Sequence, residues 1–157
     1  MGINYYFSYF QKRLTSGKVV EVQKAKEKTG IGWPVYPQGL QDALVWFTKT
    51  YGRKPIYITE NGAAYPGEKP GSDGWLHDKK RVSYLNGHVG ALRGAIDHGV
   101  DLKGYFVWSF MDNFEWASGY KPRFGLVYVD YATQKRTVKD SGMFYSQVAL
   151  TNGGCLP

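Results

Sequence analysis

Ile56-Tyr57-Ile58-Thr59-Glu60-Asn61-Gly62 is the stretch that decides how this chain folds. Two β-branched isoleucines around a tyrosine predict a short buried strand. The strand stops at a carboxylate, an amide and a glycine. Parallel α/β folds place ligands and chemistry at the carboxyl ends of their strands, so Glu60 is a candidate functional residue. Read by itself, it has three possible roles: nucleophile, general acid or structural hydrogen-bonding group.

Working outward, Pro55 breaks the chain before this strand and a helix is predicted upstream of it. Pro37 suits a first helical turn, and Leu40, Ala43, Leu44 and Phe47 repeat at i, i+3, i+4, i+7 up to about Tyr51-Gly52. Downstream, Pro66-Gly67, Pro70-Gly71 and Asp73-Gly74 put three turn signals between Ala63 and His77, which predicts a long irregular loop at the strand end. Long loops at that face are commonly functional. A second helix is predicted with Asp78 as N-cap, Val82, Leu85, Val89, Leu92 and Ile96 on its apolar face, and Gly99 just past its end. A buried strand follows over Leu102 to Ser109, around Tyr105-Phe106-Val107-Trp108, and runs into Met111-Asp112-Asn113-Phe114-Glu115-Trp116. Gly125 to Val129 and Lys135 to Thr137 predict a hairpin, and Asp140 to Ala149 a final helix. Towards the amino end, Ile3 to Phe7 is a strand candidate, Val19 to Val22 a surface hairpin arm, and Lys24 to Lys28 a polar exposed stretch.

The three core strands begin near Ile3, Ile56 and Tyr105, roughly fifty residues apart. A bare barrel unit needs about thirty, or ~250 over eight units. These are βα units enlarged at their strand-to-helix loops. Three parallel strands leave outer edges with unpaired backbone and cannot close a barrel by themselves.

Composition narrows the partner. The chain has 157 residues and 43% apolar content, enough for one folded core and too apolar for a disordered segment. Aromatic content of 17% exceeds what packing alone usually recruits, and it suits sugar faces, nucleobases or protein interfaces. The net charge of +7 raises nucleic-acid binding, but the basic residues are dispersed. Their nearest cluster, Lys79-Lys80-Arg81, reads as a solvated helix face, so no nucleic-acid partner is expected. Cys155 is the single cysteine and excludes an intrachain disulfide. No run approaches a membrane span and the first residues lack a signal-peptide pattern, so no membrane partner is expected and the default is soluble and cytoplasmic. His77, His88 and His98 show no metal spacing and read as surface or helix residues.

Glu115 follows its strand much as Glu60 follows the one before, and it is flanked by Phe114 and Trp116. Two strand-end carboxylates among aromatics suggest glycoside chemistry, which works with a carboxylate pair flanking the scissile bond. Spacing alone would make Glu60 and Glu115 that pair.

Tyr57-Ile58-Thr59-Glu60-Asn61-Gly62-Ala63-Ala64 resembles the nucleophile motif of the β-glucosidase family, the first glycoside hydrolase family. Tyr105 to Trp116 and Lys121 to Tyr131 resemble that family's last barrel strand and the loop after it, and Asn4-Tyr5-Tyr6 resembles its sixth strand. The likeness runs through nearly the whole chain and is strongest to bacterial members. It implies an α/β fold in which residues 1–157 are the carboxyl-terminal part of a single glycoside hydrolase (β/α)8 barrel domain, carrying strands six to eight of an incomplete barrel.

The resemblance also reassigns the carboxylates. It implies that Glu60 is the nucleophile of a retaining mechanism and that Tyr6 gives it a hydrogen bond that favours the ionised form. Asn4, Trp108, Glu115, Trp116 and Phe124 are implied as substrate-binding residues, with the Trp108 indole suited to the apolar face of a pyranose. Core filling by Trp108 and Tyr6, and a structural pairing of Glu115 with Arg123 or Lys121, are the competing readings. The family's acid/base lies in a Thr-x-Asn-Glu-Pro motif, and neither Asn-Glu nor Glu-Pro occurs in this sequence. The acid/base is therefore expected to be absent from the chain. β-Glucosides or related β-glycosides are the implied ligands, and no metal or organic cofactor is implied. The chain is expected to be a fragment or partial gene product, supplying the nucleophile half of a site and inactive alone. The alternatives are a half-enzyme that needs an amino-terminal barrel fragment or self-association, and a non-catalytic carbohydrate-binding fragment.

Overall fold

A computed structural model describes residues 1–22 and 25–156. The elements run β1 (Gly2–Asn4), β2 (Gln11–Arg13), β3 (Val19–Glu21), α1 (Pro37–Tyr51), β4 (Pro55–Asn61), α2 (Lys79–Asp97), β5 (Asp101–Val107), a 3-10 turn at Trp116–Ser118, β6 (Val127–Val129), β7 (Arg136–Val138) and α3 (Asp140–Leu150). Strands β1, β4 and β5 form one parallel sheet in that order. The hairpins β2–β3 and β6–β7 are antiparallel.

One face of the sheet is covered. Ile56 and Ile58 of β4 are wholly buried against Leu40 and Leu44 of α1 and Leu92 and Ala95 of α2. Fully burying such a side chain contributes about 1.5–3 kcal/mol, so this contact fixes how the helices sit on the strand. Within the sheet, β1 and β5 flank β4 through Gly2↔Tyr57 and Tyr57↔Gly104. On the other face Tyr57 and Phe106 stand exposed. Strictly alternating burial along Pro55–Ile58 is the signature of a half-covered sheet. A second core packs Ala63, Tyr65, Tyr84, Leu85 and Leu126 under the loops that leave β4 and β5.

The elements differ from the sequence-based expectation in four places. First, β1 ends at Asn4 instead of Phe7. A register irregularity after Ile3 moves Asn4 opposite Glu60, and Tyr5 N–H still donates to the Glu60 carbonyl (3.0 Å) before the chain turns away. Second, Leu40 and Leu44 of α1 and Leu85, Val89 and Leu92 of α2 are buried as their periodicity predicts, but Ala43 and Ile96 are exposed, and α2 also buries Arg81, Tyr84, His88, Ala91 and Ala95. Third, Asp78 occupies the N-cap position of α2 but makes no side-chain capping bond there. Fourth, of the Lys24 to Lys28 stretch, Lys24 lies outside the described residues and Ala25 is buried, while Lys26, Glu27 and Lys28 are exposed. The partner strand of Val19–Glu21, at Gln11–Arg13, carried no apolar signal because its three residues are all exposed and polar.

Among the described residues no helix is long and apolar enough to cross a membrane. Cys155 is an exposed free thiol.

Candidate active site

Glu60 stands at the carboxyl end of β4, the central strand of the sheet. The hydroxyl of Tyr6, two residues beyond β1, donates to Glu60 Oε2 at 2.6 Å. Burial pushes the Tyr6 phenol well above its ordinary range, and the hydrogen bond to Glu60 and the nearby negative charges push the same way. Tyr6 therefore keeps its proton and acts as a donor. Asn4, the last residue of β1, accepts a hydrogen bond from the Thr59 hydroxyl (2.6 Å).

Trp108 follows β5, and its indole Nε1–H donates to Glu115 Oε1 at 3.0 Å. The Trp108–Ser109 peptide bond is cis. Burial raises the Glu115 carboxyl above its usual value; the indole hydrogen bond opposes this, and the charge of Glu60 adds to it. The charge of Glu60 thus reaches Glu115. The structural pairing of Glu115 with Arg123 is not formed, since Arg123 Nη1 binds Asp112 (2.9 Å). Phe124 is buried, edge-on to the Tyr6 ring at 6.3 Å and 6.1 Å from the Trp33 ring.

Tyr6, Glu60, Trp108, Glu115 and Phe124 are therefore gathered around the carboxyl end of the sheet. Trp116 is set apart from them. It is 84% exposed, with φ +47° in a tight turn that projects the indole outward.

Gly62 explains why the motif ends in glycine. A Cβ there would lie 1.7 Å from the Trp108 carbonyl oxygen, so only a hydrogen lets the ends of β4 and β5 touch. Trp108 N–H donates to the Asn61 carbonyl (2.9 Å) across the same contact.

Two sets of residues escaped the sequence reading. Asn61 is fully buried behind Glu60. Its amide donates to the Tyr5 carbonyl (2.6 Å) and the Tyr84 hydroxyl (2.9 Å), and its oxygen accepts from the Tyr105 hydroxyl (2.7 Å). Tyr84 in turn donates to the Tyr6 carbonyl (3.3 Å). The only sequence signal was an amide beside the carboxylate. The second set is built on Arg81, which is wholly buried instead of facing solvent with Lys79 and Lys80. It pairs with Asp78 and Glu68, and Lys139 pairs with Glu68 (2.6 Å) and Asp112 (3.1 Å).

His77 is exposed, between Asp140 (2.9 Å) and Asp73 (3.1 Å). His88 is wholly buried on α2, stacked on Tyr84, and His98 is exposed at the end of that helix. Among the described residues no group of three or more His, Cys, Asp or Glu is arranged to hold a metal ion.

The model of glycosyl hydrolase family 1 matches residues 1–154. The chain belongs to glycosyl hydrolase family 1. Beta-glucosidase A of Thermotoga maritima, a family 1 relative, is 48% identical over 155 residues, covering 98% of this chain and 34% of the relative. A bifunctional beta-D-glucosidase/beta-D-fucosidase of Bifidobacterium breve is 48% identical over 120 residues, 74% of this chain and 26% of its own length. The solved family 1 structure of the Thermotoga maritima beta-glucosidase in complex with glucoimidazole is similar with a TM-score of 0.88 at 49% identity, over 97% of this chain and 34% of that one. The chain thus spans about a third or less of the length of these relatives, and its partial α/β fold corresponds to that share of a family 1 TIM barrel.

Proposed function

We propose that this chain carries the nucleophile-bearing part of a retaining β-glucosidase active site, as the carboxyl-terminal part (residues 1–157) of one glycoside hydrolase barrel domain, with β1, β4 and β5 as barrel strands six, seven and eight. The observation that carries this reading is the Tyr6 hydroxyl on Glu60 at 2.6 Å, at the carboxyl end of the central strand. Similarity to a beta-glucosidase that binds glucoimidazole supports a ligand of glucoside shape.

Glu60 attacks the anomeric carbon to give a glycosyl-enzyme ester, while a carboxylic acid about 5–5.5 Å away protonates the departing oxygen. The same acid, now a base, draws a proton from the water that cleaves the ester. Tyr6 donates to one oxygen of Glu60 and so fixes the carboxylate plane while leaving the other oxygen for attack. Trp108 offers an apolar ring for a sugar face and holds Glu115, whose free oxygen accepts from sugar hydroxyls. Asn4 and Phe124 complete the sugar contacts on this side, and Trp116, turned outward, stands apart from them. Glu115 is read as a sugar ligand and not as the acid because the family resemblance puts the acid/base in a Thr-x-Asn-Glu-Pro motif on another strand. With no Asn-Glu or Glu-Pro dipeptide in the sequence, the acid/base comes from outside this chain.

The test is release of nitrophenol from nitrophenyl β-glucoside. The chain alone should give negligible turnover. Mixing it with the amino-terminal part of the Thermotoga maritima relative should restore hydrolysis, and Glu60→Gln should abolish it. Rapid turnover by the chain alone, or hydrolysis that survives Glu60→Gln in the mixture, would overturn the reading. Glucose binding by the mixture without hydrolysis would replace it with the carbohydrate-binding alternative.

A further inference from the structure

Behind the site, and outside the reacting groups, lies a chain of alternating charges: Asp78, Arg81, Glu68, Lys139, Asp112 and Arg123. Three carboxylates meet three cations, so the cluster is neutral. The side chains of Arg81, Lys139 and Asp112 are completely buried, those of Asp78 and Glu68 nearly so. Removing charges from water on this scale costs several kcal/mol per ion before pairing repays it. Well-packed hydrophobic residues of similar volume often stabilise a fold at least as well as buried ion pairs, which directs attention to what else the cluster holds.

The cluster also holds backbone atoms. Arg81 Nε–H donates to the Ala63 carbonyl (3.0 Å), three residues past Glu60. Arg81 Nη2 donates to the carbonyl of Arg123, the residue before Phe124. One planar guanidinium therefore spans the loop that leaves β4 and the loop that brings back Phe124. Asp112 ties down the rest of that second loop by accepting from the backbone N–H groups of Gly125 (3.0 Å) and Val129 (3.3 Å).

We propose that Arg81 is a positioning residue that sets the spacing between the nucleophile Glu60, with its Tyr6 partner, and the wall of the site formed by Phe124 and the Trp108–Glu115 pair. It touches neither substrate nor reacting atoms and acts by holding two carbonyls at the span of its fork. A lysine offers one rotatable ammonium and lacks that rigid fork. The assignment of Glu60 as nucleophile comes from the proposed function. The geometric claim is measured without turnover, so it fails or survives independently of Glu60→Gln.

The experiment compares wild-type chain, Arg81→Lys and a control core variant, Leu44→Ala, by NMR. Two signals are read: the NOE between the Tyr6 and Phe124 rings, and the Trp108 indole N–H shift, which reports its bond to Glu115. Arg81→Lys is expected to weaken the NOE severalfold and to move the indole signal toward its solvent-exposed value. Leu44→Ala should unfold at lower urea yet leave both signals in place. Wild-type signals in a folded Arg81→Lys variant would overturn the proposal, as would equal changes in both variants. Should Arg81→Lys not fold, native-state hydrogen exchange of the wild-type chain decides. The amides of Trp108 and Leu126, bonded to Asn61 and Ser109 carbonyls, should then open together with one free energy. Independent opening of the two would sink the proposal.

Discussion

The two sides of the strand-end loops use charge in opposite ways. On the open side, Glu60 and Glu115 are half-buried carboxylates with no cation paired to either among the described ion pairs, each held by one neutral donor, Tyr6 or Trp108. On the closed side, every carboxylate of the Arg81 cluster meets a cation and, at Asp78 and Asp112, backbone N–H groups as well. An open carboxylate keeps lone pairs free for a substrate, at the expense of stability. A closed network leaves nothing for a ligand and fixes the backbone. The difference separates carboxylates left open to a ligand from carboxylates that hold the backbone.

Breaking the closed side should have the largest effect. Lys139→Met leaves Glu68 and Asp112 without their shared cation, and loss of one partner from a buried ion pair costs about 3–5 kcal/mol. Urea unfolding would measure it. A cost below ~1 kcal/mol would mean that the network is a bystander.

His88 comes next. Burial lowers its pKa to about 4, although the bond to the Tyr84 carbonyl opposes this. The folded imidazole therefore stays neutral, while the unfolded one takes up a proton below about pH 6.5. Its contribution is complete above that pH and is lost as the pH falls from 6.5 towards 4, by about 3 kcal/mol in all. The slope of stability against pH in this window should flatten in His88→Gln.

Asn61→Asp makes an intermediate break. An aspartate has no N–H for the Tyr5 carbonyl, which would be left facing an acceptor, a loss of about 1–3 kcal/mol. The same substitution should loosen Tyr6, visible as faster flipping of its ring. Glu60→Gln should cost less than ~1 kcal/mol or slightly stabilise the fold, because it relieves the repulsion felt by Glu115. A large loss there would erase the contrast between the two sides.

The smallest effect belongs to His77, and its sign is opposite to that of His88. Asp140 first and Asp73 second hold the imidazole pKa above its ordinary value. That bridge is fully formed below pH 6.5 and is lost as the pH rises through the raised folded value. The protection of amides in residues 71–77, after correction for the intrinsic base-catalysed rate, should therefore fall on the alkaline side, and His77→Gln should remove that fall.

Much of this was legible from local pattern. The strand around Ile56 and Ile58, the helix from Pro37 and the hairpin before α3 follow from two-residue and 3.6-residue periods read over short windows. Glu60, Tyr6, Trp108 and Glu115 were legible because each follows a strand closely and sits in a recognisable motif. Arg81 was not. Its partners lie between 3 and 42 residues away in sequence, and a basic triplet looks the same whether its third member faces water or the interior. Asn61 was hidden for a similar reason, since its worth comes from Tyr5, Tyr84 and Tyr105, which only the fold brings together. α2 buries Arg81, Tyr84 and His88 beside Leu85, Val89 and Leu92, so its covered face is wider than the apolar stripe alone, and Ile96 is exposed in the last turn.

The contact at Gly62 limits how this site can be reshaped. With the Trp108 carbonyl against its α-carbon, the ends of β4 and β5 are already as close as two backbones come. Glu60 and Trp108 therefore move as one body, and no substitution between them can widen or narrow the gap without breaking the sheet. The adjustable wall lies on the other flank. Past Tyr5, whose N–H makes the last backbone bond to Glu60, the chain has left β1, and Tyr6 reaches Glu60 through its side chain alone. Reshaping of the site has its room around Tyr6.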